Sequence, residues 1–183
     1  VILDQEIEDY RDNKRSLFLF GVGISYKPIS YIEIYSNLSQ NYRSVTFADI
    51  SIINPAYSIN RNISDEKGFT FDLGLRGNIK RYISYDTNFF SLFYNDRIGF
   101  VQRVYDDGSI KSERGNVGNA VIYGIESLVD FNLNELFFKN NDINFNYFIN
   151  FSLIESEYTK SMEIGVEGKK VEFVPSVNIK TGL

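Results

Sequence analysis

Residues 143–154 read Ile-Asn-Phe-Asn-Tyr-Phe-Ile-Asn-Phe-Ser-Leu-Ile. Ile143, Phe145, Tyr147, Ile149, Phe151 and Leu153 share one face, and Asn144, Asn146, Phe148, Asn150, Ser152 and Ile154 share the other. The period is two, so the segment predicts an extended strand and not a helix. It is long for one. About ten steps at ~3.3 Å rise span roughly 33 Å, which a tilt of ~40° reduces to about 25 Å, the height of the apolar band on an outer-membrane barrel. A strand in a soluble protein is usually about 5–6 residues. The asparagine-rich face predicts a wet interior. The stretch points to a strand of a membrane β-barrel, one face in hydrocarbon and the other in water.

The alternation recurs on both sides of this stretch. Phe18, Phe20, Val22, Ile24 and Tyr26 share a face opposite Gly21, Gly23 and Ser25, and Pro28 is expected to stop the strand, with 28–30 as a hairpin turn. Ile32, Ile34 and Leu38 oppose Glu33, Asn37 and Ser39; Phe69, Phe71, Leu73 and Leu75 oppose Thr70, Asp72, Gly74 and Arg76. Around 84–96 apolar groups fall on both faces and the register is open, and Tyr123, Ile125, Val129 and Phe131 oppose Gly124, Glu126, Asp130 and Asn132. A last strand begins at Val177. Short connectors are expected near 28–30, 78–83 and 134–142, long ones near 42–67, 105–113 and 159–176. Short turns at one end and long loops at the other are the barrel pattern, the long loops extracellular. The expected fold is all-β: an antiparallel up-and-down transmembrane β-barrel segment of about seven strands. Such a sheet cannot close alone, and open edges in lipid leave backbone groups unpaired, so further strands are expected outside residues 1–183.

Composition narrows the function. The 183 residues contain neither cysteine nor histidine, which removes disulfides, thiol chemistry, the commonest general base and the commonest transition-metal ligand. No catalytic residues, resident cofactor or protein-bound metal are expected, and the chain does not read as an enzyme. A net charge of −5 argues against nucleic acid, which needs a basic footprint. No run of roughly 20 apolar residues offers a spanning helix, but barrel strands hide their apolarity in alternation. Val1 opens on an acidic, polar stretch with no leader, so the chain reads as part of a longer protein.

With the strands placed, several blocks resemble TonB-dependent outer-membrane receptors. Tyr35–Ile50 (YSNLSQNYRSVTFADI) resembles a strand and loop start, and Asp65–Gly77 (DEKGFTFDLGLRG) resembles the next strand, with its acidic pair and apolar-Gly-apolar close. Phe93–Ile98 (FYNDRI), Asn116–Glu126 (NVGNAVIYGIE), and Gly168–Pro175 followed by Asn178 and Gly182 follow in the family's order. The subgroup resembled is the ferric dicitrate receptors of the Bacteroidetes type. The resemblance implies a barrel of about 22 strands plugged by its own N-terminal domain, of which residues 1–183 form roughly a third. The plug, the TonB-contacting box and the final strands are expected elsewhere. It further implies a bacterial outer-membrane, multi-pass location and active import of a ferric chelate or other siderophore energised through the TonB complex, with lipid and lipopolysaccharide around the barrel.

A ferric citrate complex is anionic, and the arginine fork suits its carboxylates. Arg43, Arg61, Arg103 and Arg114 lie on or beside the long loops, and Thr46 and Asp49 sit in the loop-start block where the resemblance places a ligand-facing stretch. The competing reading is that loop arginines pair with neighbouring Asp or Glu, or bind lipopolysaccharide. Arg76, Lys80 and Arg81 flank a short turn at the opposite end, facing solvent or the plug. Glu33, Asp72, Glu126 and Asp130 fall on the polar faces and are expected to hydrate the lumen or meet the plug. Asp106-Asp107-Gly108-Ser109 reads as a tight turn and not a calcium loop. Tyr26, Tyr31, Tyr82, Tyr85, Tyr123 and Tyr158, near strand ends, suit interfacial girdles. Two alternatives stand beside the receptor: a passive porin or structural outer-membrane barrel, and a soluble β-barrel binding module.

Overall fold

The structure, a computed structural model, describes residues 16–138 and 145–183. Ile143 and Asn144 of the opening stretch, and part of the expected 134–142 turn, lie outside the described residues. The strands are β1 (Gly21–Ile29), β2 (Ile32–Arg43), β3 (Tyr57–Ile59), β4 (Glu66–Ile79), β5 (Ile83–Val104), β6 (Ile110–Asn132), β7 (Asn146–Lys160) and β8 (Val177–Gly182), with a helical turn, α1 (Phe47–Ile50), between β2 and β3 and a π-helical turn (Asn134–Phe138) after β6. They form one sheet in the order β1-β2-β4-β5-β6-β7-β8, each antiparallel to the next. The short β3 pairs in parallel with the upper part of β6. The sheet is an open up-and-down meander of seven strands with β3 as an added loop strand.

Register turns the alternation into two surfaces. The chain of partners Ile24–Ser36–Leu73–Phe89–Ile125–Leu153–Val177 runs along one face. On that face Val22, Ile24, Leu38, Leu73, Leu75, Phe89, Phe93, Tyr123, Ile125, Leu153 and Ile179 are exposed. An apolar row this continuous and this bare belongs in hydrocarbon. Phe145 on the same side is 47% exposed, so the apolar residues of β7 are not sealed in a core. The opposite face carries Asn37, Asp72, Asn88, Glu126 and Asp130 together with Ser152 and Asn178, the water-facing lumen side. Glu33 lies there too and pairs with Arg76 at 2.9 Å.

Three expectations are corrected, and one open register is settled. Pro28 does not end β1; the ladder shifts between Tyr26 and Ile29, and this bulge steps over Lys27 and Pro28 so that the absent proline N–H is not needed. The connector expected as a long loop at 105–113 is a tight turn, Tyr105–Ser109, on a hairpin whose arms are 22 and 23 residues long. Its upper half was hidden because polar residues occupy both faces there (Gln102, Arg103, Lys111, Ser112, Glu113). The register left open at 84–96 is settled: Phe89 and Phe93 point to lipid while Phe90, Leu92 and Tyr94 lie on the lumen face. Tyr158 is not a girdle residue; it is 3% exposed on the lumen face and its hydroxyl donates to Glu172 at 2.7 Å.

That last correction locates the core. Phe90, Val117, Ala120, Ile122, Tyr158 and Val171 form a buried apolar cluster, with Val166 and Val174 packed against it. Val166, Val171 and Val174 come from the β7–β8 loop, which folds inward over the lumen face. Its backbone continues alongside β7: Tyr158 N–H donates to the Lys169 carbonyl and Ile154 N–H to that of Ser176, both at 2.9 Å.

Candidate functional site: the loop-side crown

The β2–β3 connection begins with Thr46 in extended geometry, and α1 follows. Asp49, in the first turn, returns its Oδ2 to the Thr46 backbone N–H (2.9 Å) and accepts the Thr46 hydroxyl (2.7 Å), the acid half of a capping box. The same carboxylate receives two guanidiniums. Arg43 Nη2 donates to both oxygens at 2.8 and 2.9 Å, and Arg114 donates to Oδ1 from Nε at 3.1 Å and Nη2 at 2.7 Å. Asp49 is 2% exposed. Burial by itself raises such a carboxyl; the Thr46 hydrogen bonds and the guanidiniums of Arg114 and Arg43 outweigh it and hold Asp49 well below the usual carboxylate range.

Arg43 stands at the top of β2 and Arg114 on β6, so α1 ties two non-adjacent strands through one carboxylate. Arg114 also lies 4.6 Å over the Phe100 ring, which meets Tyr57 edge-on at 5.6 Å. Glu66, opposite Arg43 in the ladder, approaches it at 4.0 Å and accepts the Ile98 N–H at 2.8 Å.

A second group surrounds Arg103. Its Nε donates to Glu113 at 3.0 Å and its Nη2 to Glu163 of the β7–β8 loop at 2.6 Å. Glu113 also accepts from Asn60 of the β3–β4 connection at 3.2 Å, and the Tyr105 hydroxyl sits 2.6 Å from Ser58 and 3.2 Å from Glu113. The two long loops are therefore fastened to the same hairpin.

The structure thus brings together Arg43, Thr46, Asp49 and Arg114, sets Arg103 in a neighbouring ion-pair group, and leaves Arg61 exposed with no ion pair among the described residues. Sequence reasoning passed over Glu113, Glu163 and Arg97. The last belongs to the FYNDRI block. The β5 ladder is irregular between Tyr94 and Ile98, and Asp96 takes φ 55° there. The Asn95-Asp96 pair, two residues tolerant of that conformation, was the available signal.

These features define the wall segment of a transmembrane β-barrel with its β7–β8 loop folded over the lumen face. Residues 4–183 match the family described as "TonB dependent receptor-like, beta-barrel", and the chain belongs to that family of outer-membrane transport receptors. No curated protein matches the sequence. Among solved structures, one described as "Copper transporter OprC" superimposes with a TM-score of 0.64 at 16% identity, over 88% of this chain and 23% of its own. The siderophore receptor PirA from Pseudomonas aeruginosa gives 0.59 at 13% identity over 77% and 28%, and PirA from Acinetobacter baumannii 0.58 at 17% over 89% and 26%. Identities this low show the fold alone, and the chain spans 23% to 28% of these relatives.

Proposed function

We propose that this chain is part of the barrel wall of an active-transport receptor for an anionic ferric chelate, of the ferric dicitrate kind, in the bacterial outer membrane. The receptor's own N-terminal plug closes the lumen and the TonB complex supplies the energy. The iron chelate is the cargo; no bond in it is made or broken. The observation that carries this reading is the loop-side crown: the β7–β8 loop folds over the lumen face and meets Arg103 there, the β2–β3 loop holds Arg43 and Arg114 at the top of the wall, and Arg61 is exposed. Guanidinium groups there suit the carboxylates of a citrate complex. Thr46 and Asp49 act as positioning residues that fix Arg43 and Arg114. The descriptions of similar structures as a copper transporter and siderophore receptors favour metal or chelate cargo.

The test is uptake of labelled ferric citrate by cells producing the full-length receptor, with and without a protonophore. Saturable uptake that stops when the proton gradient collapses is the expected result. Unsaturable uptake indifferent to the gradient identifies a passive porin and defeats the proposal.

A further inference from the structure

Among the described residues, three other than glycine take a positive φ: Lys80, Asp96 and Phe173. Lys80 turns the β4–β5 hairpin and Asp96 sits in the β5 bulge. Phe173 lies in the β7–β8 loop at φ 62°, and a bulky aromatic in that left-handed conformation is strained where glycine or asparagine is the ordinary choice. Its ring is also 94% exposed. The loop therefore holds a large apolar side chain in the open, on a backbone that disfavours it.

Both sides of Phe173 are pinned to the lumen face of the wall. Val171 is buried in the apolar cluster, and its N–H donates to Ser156 Oγ at 3.3 Å. Glu172 accepts the Tyr158 hydroxyl and lies against Gly99, where an added Cβ would meet its carboxylate. Val174 packs against the same cluster, and the Ser176 carbonyl takes the Ile154 N–H. Backbone strain persists where its surroundings over-determine it, and it gathers at clamps and binding sites. With its neighbours turned onto the wall, the bare Phe173 ring stands off the wall and into the lumen. This chain spans 23% to 28% of the similar structures, and barrels of about 22 strands have a plugged lumen, so the body that such a ring meets is the plug. The anionic chelate is the poorer match, because a phenyl ring offers its carboxylates no hydrogen bond.

We propose that Phe173 is an apolar anchor that docks the β7–β8 loop onto the receptor's own plug, its ring seated in an apolar hollow at the plug's outward end. The inference rests on the reading of the chain as a plugged receptor. Rigid aromatic side chains that fill a pocket on their partner carry much of the energy of such contacts. The same loop holds Arg103 through Glu163, so the anchor ties the plug to the β5–β6 hairpin as well.

The test places the photo-crosslinking residue p-benzoylphenylalanine at position 173 of the full-length receptor and, as a control, at exposed Val104 beside the hairpin tip. After illumination, digestion and mass spectrometry, a link to a peptide of the N-terminal plug is expected from position 173, at least about tenfold more abundant than from position 104. Phe173→Gly and Phe173→Leu are then compared with wild type by limited proteolysis of the plug and by hydrogen exchange of residues 161–176. Glycine removes the ring and relieves the strained φ at once. Plug cleavage is therefore expected to quicken roughly tenfold in Phe173→Gly while loop exchange does not rise, with Phe173→Leu, which keeps apolar bulk, in between. Links only to barrel peptides or lipid, or equal plug yield from both positions, overturn the assignment. Unchanged plug cleavage in Phe173→Gly overturns it too, and so does loop exchange that rises with it, which marks a ring needed only for the loop's own fold. These results leave the receptor reading standing. A full-length chain with no domain ahead of the barrel overturns that reading and this inference together.

Discussion

Arg114 on β6 and Asp49 on α1 are 65 residues apart in sequence and 2.7 Å apart in space. With Arg43 on the other side of the carboxylate, this contact fastens the β2–β3 loop across the sheet. Replacing Asp49 with Ala leaves two guanidiniums facing each other without their counter-ion. Because Arg43 remains partly in water, the loss is expected at the low end for a broken buried pair, about 3 kcal/mol. Hydrogen exchange should report it as lost protection through residues 44–65, with the membrane strands unaffected.

The same carboxylate makes the loop sensitive to acid. Its folded-state proton affinity is depressed, so its contribution is complete above the unfolded aspartate value of about 4 and is lost as pH falls below that. Loop protection should be flat from neutral pH to about 5 and decline below about 4. In Asp49→Asn the acid-dependent part of that decline should disappear.

Arg103 joins both long loops to the β5–β6 hairpin through Glu113 and Glu163. Arg103→Gln should therefore raise amide exchange in residues 57–63 and in 161–169 together. A rise confined to one loop would show that the hairpin does not couple them.

The two faces of the sheet predict opposite tolerances. Ile125 lies mid-height on the lipid side and Asn88 on the lumen side. Ile125→Arg is expected to cost about 2–4 kcal/mol, and Asn88→Arg little. Heat-modifiability of the full-length receptor on denaturing gels should show the first as a reduced folded fraction and the second as near wild type.

Tyr35 lies over Gly74, where an added Cβ would collide with its ring, and its hydroxyl donates to Asp86 at 2.7 Å. Gly74→Ala should displace the ring and break that bond, costing about 1–3 kcal/mol by overpacking. Tyr35→Phe keeps the ring and removes only the hydrogen bond, so its loss in a denaturant titration should be the smaller.

Much of this fold was legible because a barrel strand writes its two environments into alternate residues. The face of each residue in 145–154 follows from parity alone, and Tyr158, an even-numbered neighbour of Ser152 and Ser156, obeyed the same rule that its position near a strand end obscured. What parity could not show was where strands outlast the bilayer. Near the tip of the hairpin, at Gln102, Arg103, Lys111, Ser112 and Glu113, polar residues occupy both faces and no longer alternate with apolar ones, and a ladder then looks like a loop. The candidate site was legible in its residue types, since Arg43, Thr46, Asp49 and Arg114 do converge. Their partners were not: whether an arginine is spent on a neighbour depends on register across strands, and bulges such as the one before Arg97 shift that register without an unambiguous mark in the sequence.

The β5–β6 hairpin carries about eleven residues per arm beyond the apolar row, a mast rising roughly 25 Å from the membrane surface. Its tip, Asp106–Ser109, is closed by a glycine with a φ of 78° and open space on every side. The outermost point of this stretch of wall is therefore an acidic tip carrying Asp106 and Asp107, and a short epitope grafted there should be displayed without disturbing the sheet below it.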